Sequence, residues 1–140
     1  MLIETTISNS HIIKSFVRFI CTELNIKPKR IIVAELEDLE SNTIGLCIDE
    51  SEDEFIILVK EATRTLSDIL VTIAHEMIHV KQYMKQHLGW LLDNYGHIHY
   101  LERWWEKEAF AKSVLLVEKY AIHLTIARKN VINNELFDFV

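Results

Sequence analysis

The apolar positions of this chain fall into blocks of distinct rhythm. Ile12, Ile13, Phe16, Val17, Ile20 and Leu24 recur at three- and four-residue intervals, which predicts an amphipathic helix. Ser8, Asn9 and Ser10 stand before it as candidate N-caps. Pro28 is expected to end it, because the residue before a proline is pushed out of the α region. Leu2, Ile3 and Ile7 precede this helix as a short strand or a packed N-terminus. Three β-like runs come next: Ile31 to Ala34, Thr43 to Ile48 and Phe55 to Val59. Gly45 inside the second predicts a bulge or a close backbone approach. The acidic stretch from Asp49 to Glu54 reads as a solvated hairpin loop. Together the runs predict an antiparallel meander of three strands, with Phe55 to Val59 offering a free edge to an extended peptide.

A second helical rhythm runs through Leu66, Ile69, Leu70, Ile73, Met77, Val80 and Met84. Thr65-Leu66-Ser67-Asp68 matches a capping box and sets its start near Thr65. Gly89 is expected to stop it in the C′ position, after His87 or Leu88. From Trp90 to Tyr100, turn-formers Asp93, Asn94 and Gly96 predict irregular chain. A last long helix is expected from near Leu101 to about Lys129, followed by a tail, VINNELFDFV, that docks or frays. The fold class is therefore α+β: an N-terminal helix, a small, mostly antiparallel three-stranded sheet and two further long helices. Residues 1–140 are read as one domain.

Composition narrows the function classes. Hydrophobic residues make up 49% and charged residues 26%, an ordinary globular balance. The net charge of −6 gives no case for nucleic acid or an anionic membrane surface. Cys21 and Cys47 are far apart and form no C-x-x-C pair, so two buried thiols in a reducing compartment are expected. The N-terminus lacks a basic leader, and no apolar segment reaches the roughly 20 residues a membrane helix needs. A soluble, cytoplasmic protein follows as an expectation.

The chemistry is concentrated in His75-Glu76-Met77-Ile78-His79. Residues i and i+4 share one face of a helix, so the two imidazoles can ligate a single cation. Zinc in catalytic sites takes three protein ligands and a water, and Glu76 beside the first His is placed to act as that water's base. A third ligand is required. No His stands six residues past His79, where Lys85 is found, and His87 lies two turns further along the same helix. His97 and His99 are candidates if their loop folds back. Of the acids in Trp104-Trp105-Glu106-Lys107-Glu108-Ala109, Glu106 shares a face with Ala109, Phe110, Ser113 and Val117. Glu108 shares its face with Ala111, Lys112, Leu115 and Lys119, and reads as an exposed i, i+4 partner of Lys112. Glu106 is thus the inward acid.

His75-Glu76-x-x-His79 together with the E-x-E-A run from Glu106 to Ala109 resembles the gluzincin metallopeptidases. The likeness, from about Ile31 to Ala111, is nearest to small single-domain SprT-like or minigluzincin proteins encoded by phages and bacteria. It implies a minimal zincin-like fold in which a second helix brings the last ligand, and it matches Glu106 to the family's glutamate ligand. Two departures stand out. Phe110 occupies the position of an Asp that in larger gluzincins orients a ligand His, and SprT proteins often use a third His, which keeps His97 and His99 open. The resulting expectation is a Zn²⁺-dependent peptidase with His75, His79 and Glu106 as ligands, Glu76 as general base, and a peptide or protein substrate. Tyr95, His97, His99 and Tyr100 are the candidate donors to the reacting carbonyl oxygen. The rival expectation is a zinc-binding regulatory or partner-binding protein without turnover, distinguished by a closed four-ligand sphere.

Overall fold

A computed structural model describes residues 1–37 and 42–138, with side chains described up to Asn130. The elements run β1 (Leu2–Thr5), α1 (Ser10–Leu24), β2 (Arg30–Glu35), β3 (Gly45–Ser51), β4 (Glu54–Val59), α2 (Leu66–Lys85), α3 (Leu88–Tyr95) and α4 (Trp104–Asp138). A single 3₁₀ turn, Tyr100–Glu102, precedes α4. The fold is α+β, with a mixed sheet in the order β1-β2-β4-β3.

That order corrects the expected three-stranded meander. The chain from Leu2 to Thr5 pairs in parallel with β2, Ile3 opposite Ile31, because the intervening connection is a whole helix and not a hairpin. β4 also runs parallel to β2 and inserts between β2 and β3, with Ile31 opposite Phe55 and Val33 opposite Ile57. Only β3 and β4 are antiparallel. Their hairpin is tighter than the predicted six-residue loop: a turn at Glu52 and Asp53, with a bulge between Asp49 and Ser51. β4 is consequently internal, and β3 holds the edge that the sequence suggested for Phe55 to Val59.

One face of the sheet carries Ile3, Ile31, Val33, Phe55, Ile57 and Val59, all buried with Ile13, Phe16, Val17 and Ile20 of α1 and Ile73 and Met77 of α2. Alternate positions of the same strands, Ile32, Ile56 and Leu58, are half-buried, and Leu46 and Ile48 are exposed. α2 lies at the centre. Besides its apolar stripe it buries Thr72, His75, Glu76, His79 and Gln82, because α4 covers the side of the helix that would otherwise face water.

Helix ends follow local chemistry, with three corrections. α1 stops at Leu24, where Asn25 takes the left-handed conformation (φ 52°) and donates its N–H to Cys21 and Thr22 carbonyls; Pro28 lies beyond the end. α2 stops before Gly89, because His87 adopts φ 57° and opens a new helix, α3, in which Gly89 is an interior residue. The stretch expected to be irregular is therefore largely helical. α4 begins at Trp104, after the 3₁₀ turn, and continues past Lys129 through the tail to Asp138. Phe139 and Val140 lie outside the described residues. No helix among the described residues is long and apolar enough to cross a membrane.

The α2 start matches the predicted box: the Thr65 side chain accepts a hydrogen bond from the Asp68 N–H at 3.1 Å. Thr65→Ala should therefore destabilise the protein by about 1 kcal/mol. Urea unfolding followed by circular dichroism checks this, read as a lower midpoint at unchanged slope.

Candidate metal centre

α2 and α4 bring three donors to one point. His75 and His79, one turn apart on α2, approach each other at 3.2 Å through their Nε2 atoms. Glu106, in the first turn of α4, sets Oε1 at 3.0 Å from His75 Nε2 and 2.9 Å from His79 Nε2. All three residues are buried. The close packing of the helices depends on α4 presenting Ala109 and Ser113 to α2, both buried. The inward face of α4 is thus Trp105, Glu106, Ala109, Ser113, Leu116 and Tyr120. Phe110, expected on that face, is instead exposed and rims the site, its ring edge-on to His75 at 4.6 Å.

The donor chemistry fits a divalent cation. Gln82 Nε2 donates to the Trp105 carbonyl at 2.9 Å and to Glu108 at 3.2 Å, which turns its side-chain carbonyl toward His79 Nδ1 at 2.7 Å. A carbonyl only accepts, so the neutral His79 ring carries its hydrogen on Nδ1 and turns the Nε2 lone pair to Glu106. Lone pairs at 2.9 Å repel unless a cation, a proton or a metal ion, is shared between them. Ligands about 2.0–2.1 Å from a tetrahedral zinc stand roughly 3.3 Å apart, close to the separations seen here.

Electrostatics agree with this geometry. Burial alone would raise the Glu106 carboxyl, but hydrogen bonds from the two imidazoles outweigh it and hold the group down at about 2. Burial opposes the charged form of His79, yet the Glu106 hydrogen bond and the nearby Glu76 raise its pKa above the ordinary value. Glu76 is different. Burial raises its carboxyl and Glu106 adds to the rise, while His79 and His75 pull the other way.

Glu76 lies where α2 meets β3, which is where Gly45 becomes necessary. A Cβ on Gly45 would come within 2.5 Å of Thr72 Cγ2 and 3.2 Å of Glu76 Oε1. Of the two readings of this glycine, the structure supports the close approach; the bulge is elsewhere, at Asp49. A cleft of about 620 Å³ opens over the cluster. Thr43, Ile44, Gly45, Leu46 and Cys47 border it in unbroken succession, so the edge of β3, not one face, runs along it. Leu88, Leu92, Tyr100, Trp105 and Phe110 form the opposite wall.

Among the four candidate donors, Tyr100 alone is a lining residue of this cleft. Its hydroxyl titrates well above the ordinary value because of burial and the neighbouring Glu106 carboxylate. Tyr95 is exposed and packs edge-on against Trp90 at 5.7 Å. His97 is exposed. His99 is exposed too, and its Nδ1 accepts the Leu101 N–H at 3.3 Å, capping the 3₁₀ turn. Neither histidine belongs to the cluster. Glu108 needs correction: it does meet Lys112 at 3.6 Å, but its side chain is only 19% exposed and also binds Lys81 at 2.8 Å and Gln82. Gln82 was missed by sequence reasoning. Its one signal was position, three residues after His79 and so on the same side of the helix.

Comparison with protein families, curated proteins and solved structures gave no match.

Metal analysis by mass spectrometry should find about one divalent ion per chain, lost in His75→Ala, His79→Ala and Glu106→Ala alike. In metal-free protein the Glu106 contribution to stability is present above pH 4.5 and lost as pH falls toward about 2. That of His79 is present below pH 6.5 and lost as pH rises through its elevated pKa. Chelator-treated protein should therefore melt highest between those limits. Added zinc, which competes with the His79 proton, should stabilise increasingly as pH rises through neutrality. Thermal melts across pH with and without zinc check both signs.

Proposed function

We propose that this chain is a single-domain zinc peptidase of the gluzincin type, with His75, His79 and Glu106 as ligands and Glu76 as the general base. The observation that carries the reading is the placement of Glu76, a buried carboxylate beside the three-donor cluster but not part of it, in an open cleft. Two imidazoles and a carboxylate suit zinc, and three donors are the usual number when the metal serves catalysis. Bound there, zinc would supply Lewis acidity toward a carbonyl oxygen and an acidified water.

The remaining steps belong to the chain itself. Glu76, its carboxyl raised by burial, takes a proton from the attacking water and passes it to the leaving amine nitrogen. Tyr100, on the cleft wall facing the cluster, donates its hydroxyl hydrogen to the oxygen that gains charge. The substrate lies extended along β3, whose outer edge has no partner strand among the described residues. Leu88, Leu92, Trp105 and Phe110 across the cleft favour an apolar side chain near the scissile bond and help to exclude water. A purely structural metal role is disfavoured: among the described residues the cluster has three donors, not a closed set of four.

Glu76→Gln should retain the metal and the fold while losing about 10²–10⁴-fold in activity. Hydrolysis of a quenched fluorescent peptide library, with and without chelator, is the measurement. Cleavage that survives in Glu76→Gln, or is indifferent to chelator, rules the mechanism out.

A further inference from the structure

We infer that Gln82 is the positioning residue of this centre: its side-chain carbonyl holds the His79 ring in the tautomer that aims a lone pair at the cluster, and Glu108, clamped by Lys81, holds Gln82. For the metal, the inference rests on the reading above; the tautomer is a property of the chain alone.

Gln82 is fully buried, so each of its polar functions needs a partner. All three are engaged. Oε1 accepts from His79 Nδ1 at 2.7 Å, and the two amide hydrogens go to the Trp105 carbonyl at 2.9 Å and Glu108 Oε1 at 3.2 Å. Turning the amide over would set its oxygen against that carbonyl and that carboxylate. Two acceptor–acceptor contacts in a dry interior exclude this orientation, so the amide points one way. Lys81 binds the same Glu108 oxygen at 2.8 Å, with both side chains mostly shielded from water, and this keeps Glu108 ionised and in place. The chain of contacts runs Lys81, Glu108, Gln82, His79, and crosses twice between α2 and α4. These are the two helices whose packing brings Glu106 to the imidazoles. His75 has a different neighbour, the edge of the Phe110 ring. Orientation by a hydrogen-bonded partner thus falls on His79, through an amide carried by the motif helix itself.

A simpler role for Gln82 would be to fasten α4 to α2 through the Trp105 carbonyl, without any influence on His79. Nitrogen-15 NMR of the His79 ring in metal-free protein, at a pH where the ring is neutral, separates the two. Wild type should show hydrogen on Nδ1. Gln82→Leu should give a mixture of tautomers and lower zinc affinity, measured by chelator competition, by about 10–100-fold. If Gln82→Leu leaves the ring signal and the affinity unchanged, the inference is overturned. A loss of affinity without a change of tautomer likewise leaves only the fastening role. Should Gln82→Leu fail to fold, Glu108→Leu takes its place, since the Glu108 side chain is partly exposed. It should give a partial tautomer mixture, and an unchanged His79 signal would overturn the proposal. A wild type that binds no zinc would remove the peptidase reading, while the His79 signal would still decide this one.

Discussion

Three lone pairs meeting inside a protein is an arrangement that needs a cation, and much of this fold serves to bring them together. The Nε2 atoms of His75 and His79 and a Glu106 oxygen stand 2.9–3.2 Å apart in a buried position. Burying an unpaired carboxylate costs several kcal/mol or is avoided by protonation. Here Glu106 does the opposite and holds its proton less tightly than in water, because it faces two imidazoles. The small side chains Ala109 and Ser113 let α4 approach α2 closely enough for that. The sheet then supports α2 from the other side, so the helix bearing both histidines is held between two layers.

Glu76 and Glu106 have opposite electrostatic fates only a short distance apart. Both are buried glutamates, and burial pushes both toward the neutral acid. Glu106 makes two direct hydrogen bonds to imidazoles, which reverse the push; Glu76 feels the same rings only through space and remains raised. One carboxylate is thereby suited to stay ionised in contact with a cation. The other is pushed by burial toward its protonated form. This divergence of two like groups under different environments is the pattern that separates fixed charge from acid–base function.

What the sequence revealed was local. The spacing of His75 and His79, the Thr65 cap and the core stripe of α2 are relations within one helix, and periodicity exposes them directly. The close approach at Gly45 was legible for a similar reason: a glycine weakens a strand, so its presence inside one marks a point where a side chain would not fit or the pairing breaks. The choice of Glu106 as the inward acid survived an error in the face, because Ala109 and Ser113 sufficed to mark it even though Phe110 turned outward. Sheet order was not legible. β1, β2 and β4 pair across long stretches of chain, and nothing in their short apolar runs specifies a parallel neighbour. The stop before Gly89 was misread because His87, a residue with no strong turn preference, takes the left-handed position. Gln82 and Glu108 escaped because the contacts that fix them, to the Trp105 carbonyl, to each other and to Lys81, cross between helices.

The remaining constraint links Glu76 to the sheet edge. Gly45 has no side chain because Thr72 and Glu76 already occupy that space. β3 therefore lies directly against the turn of α2 that carries Glu76, and the same strand supplies the border of the cleft. An extended chain added along β3 would run past Glu76 at a distance set by backbone packing and not by flexible side chains. Order matters in this: had β4 been the edge, as its apolar run suggested, the strand against Glu76 would have been enclosed on both sides. Placing the antiparallel hairpin outermost leaves one strand that is packed on Glu76 through Gly45 and that, among the described residues, has no partner strand along its other edge. The sheet topology thus provides both the shelf and its registration to the candidate metal centre.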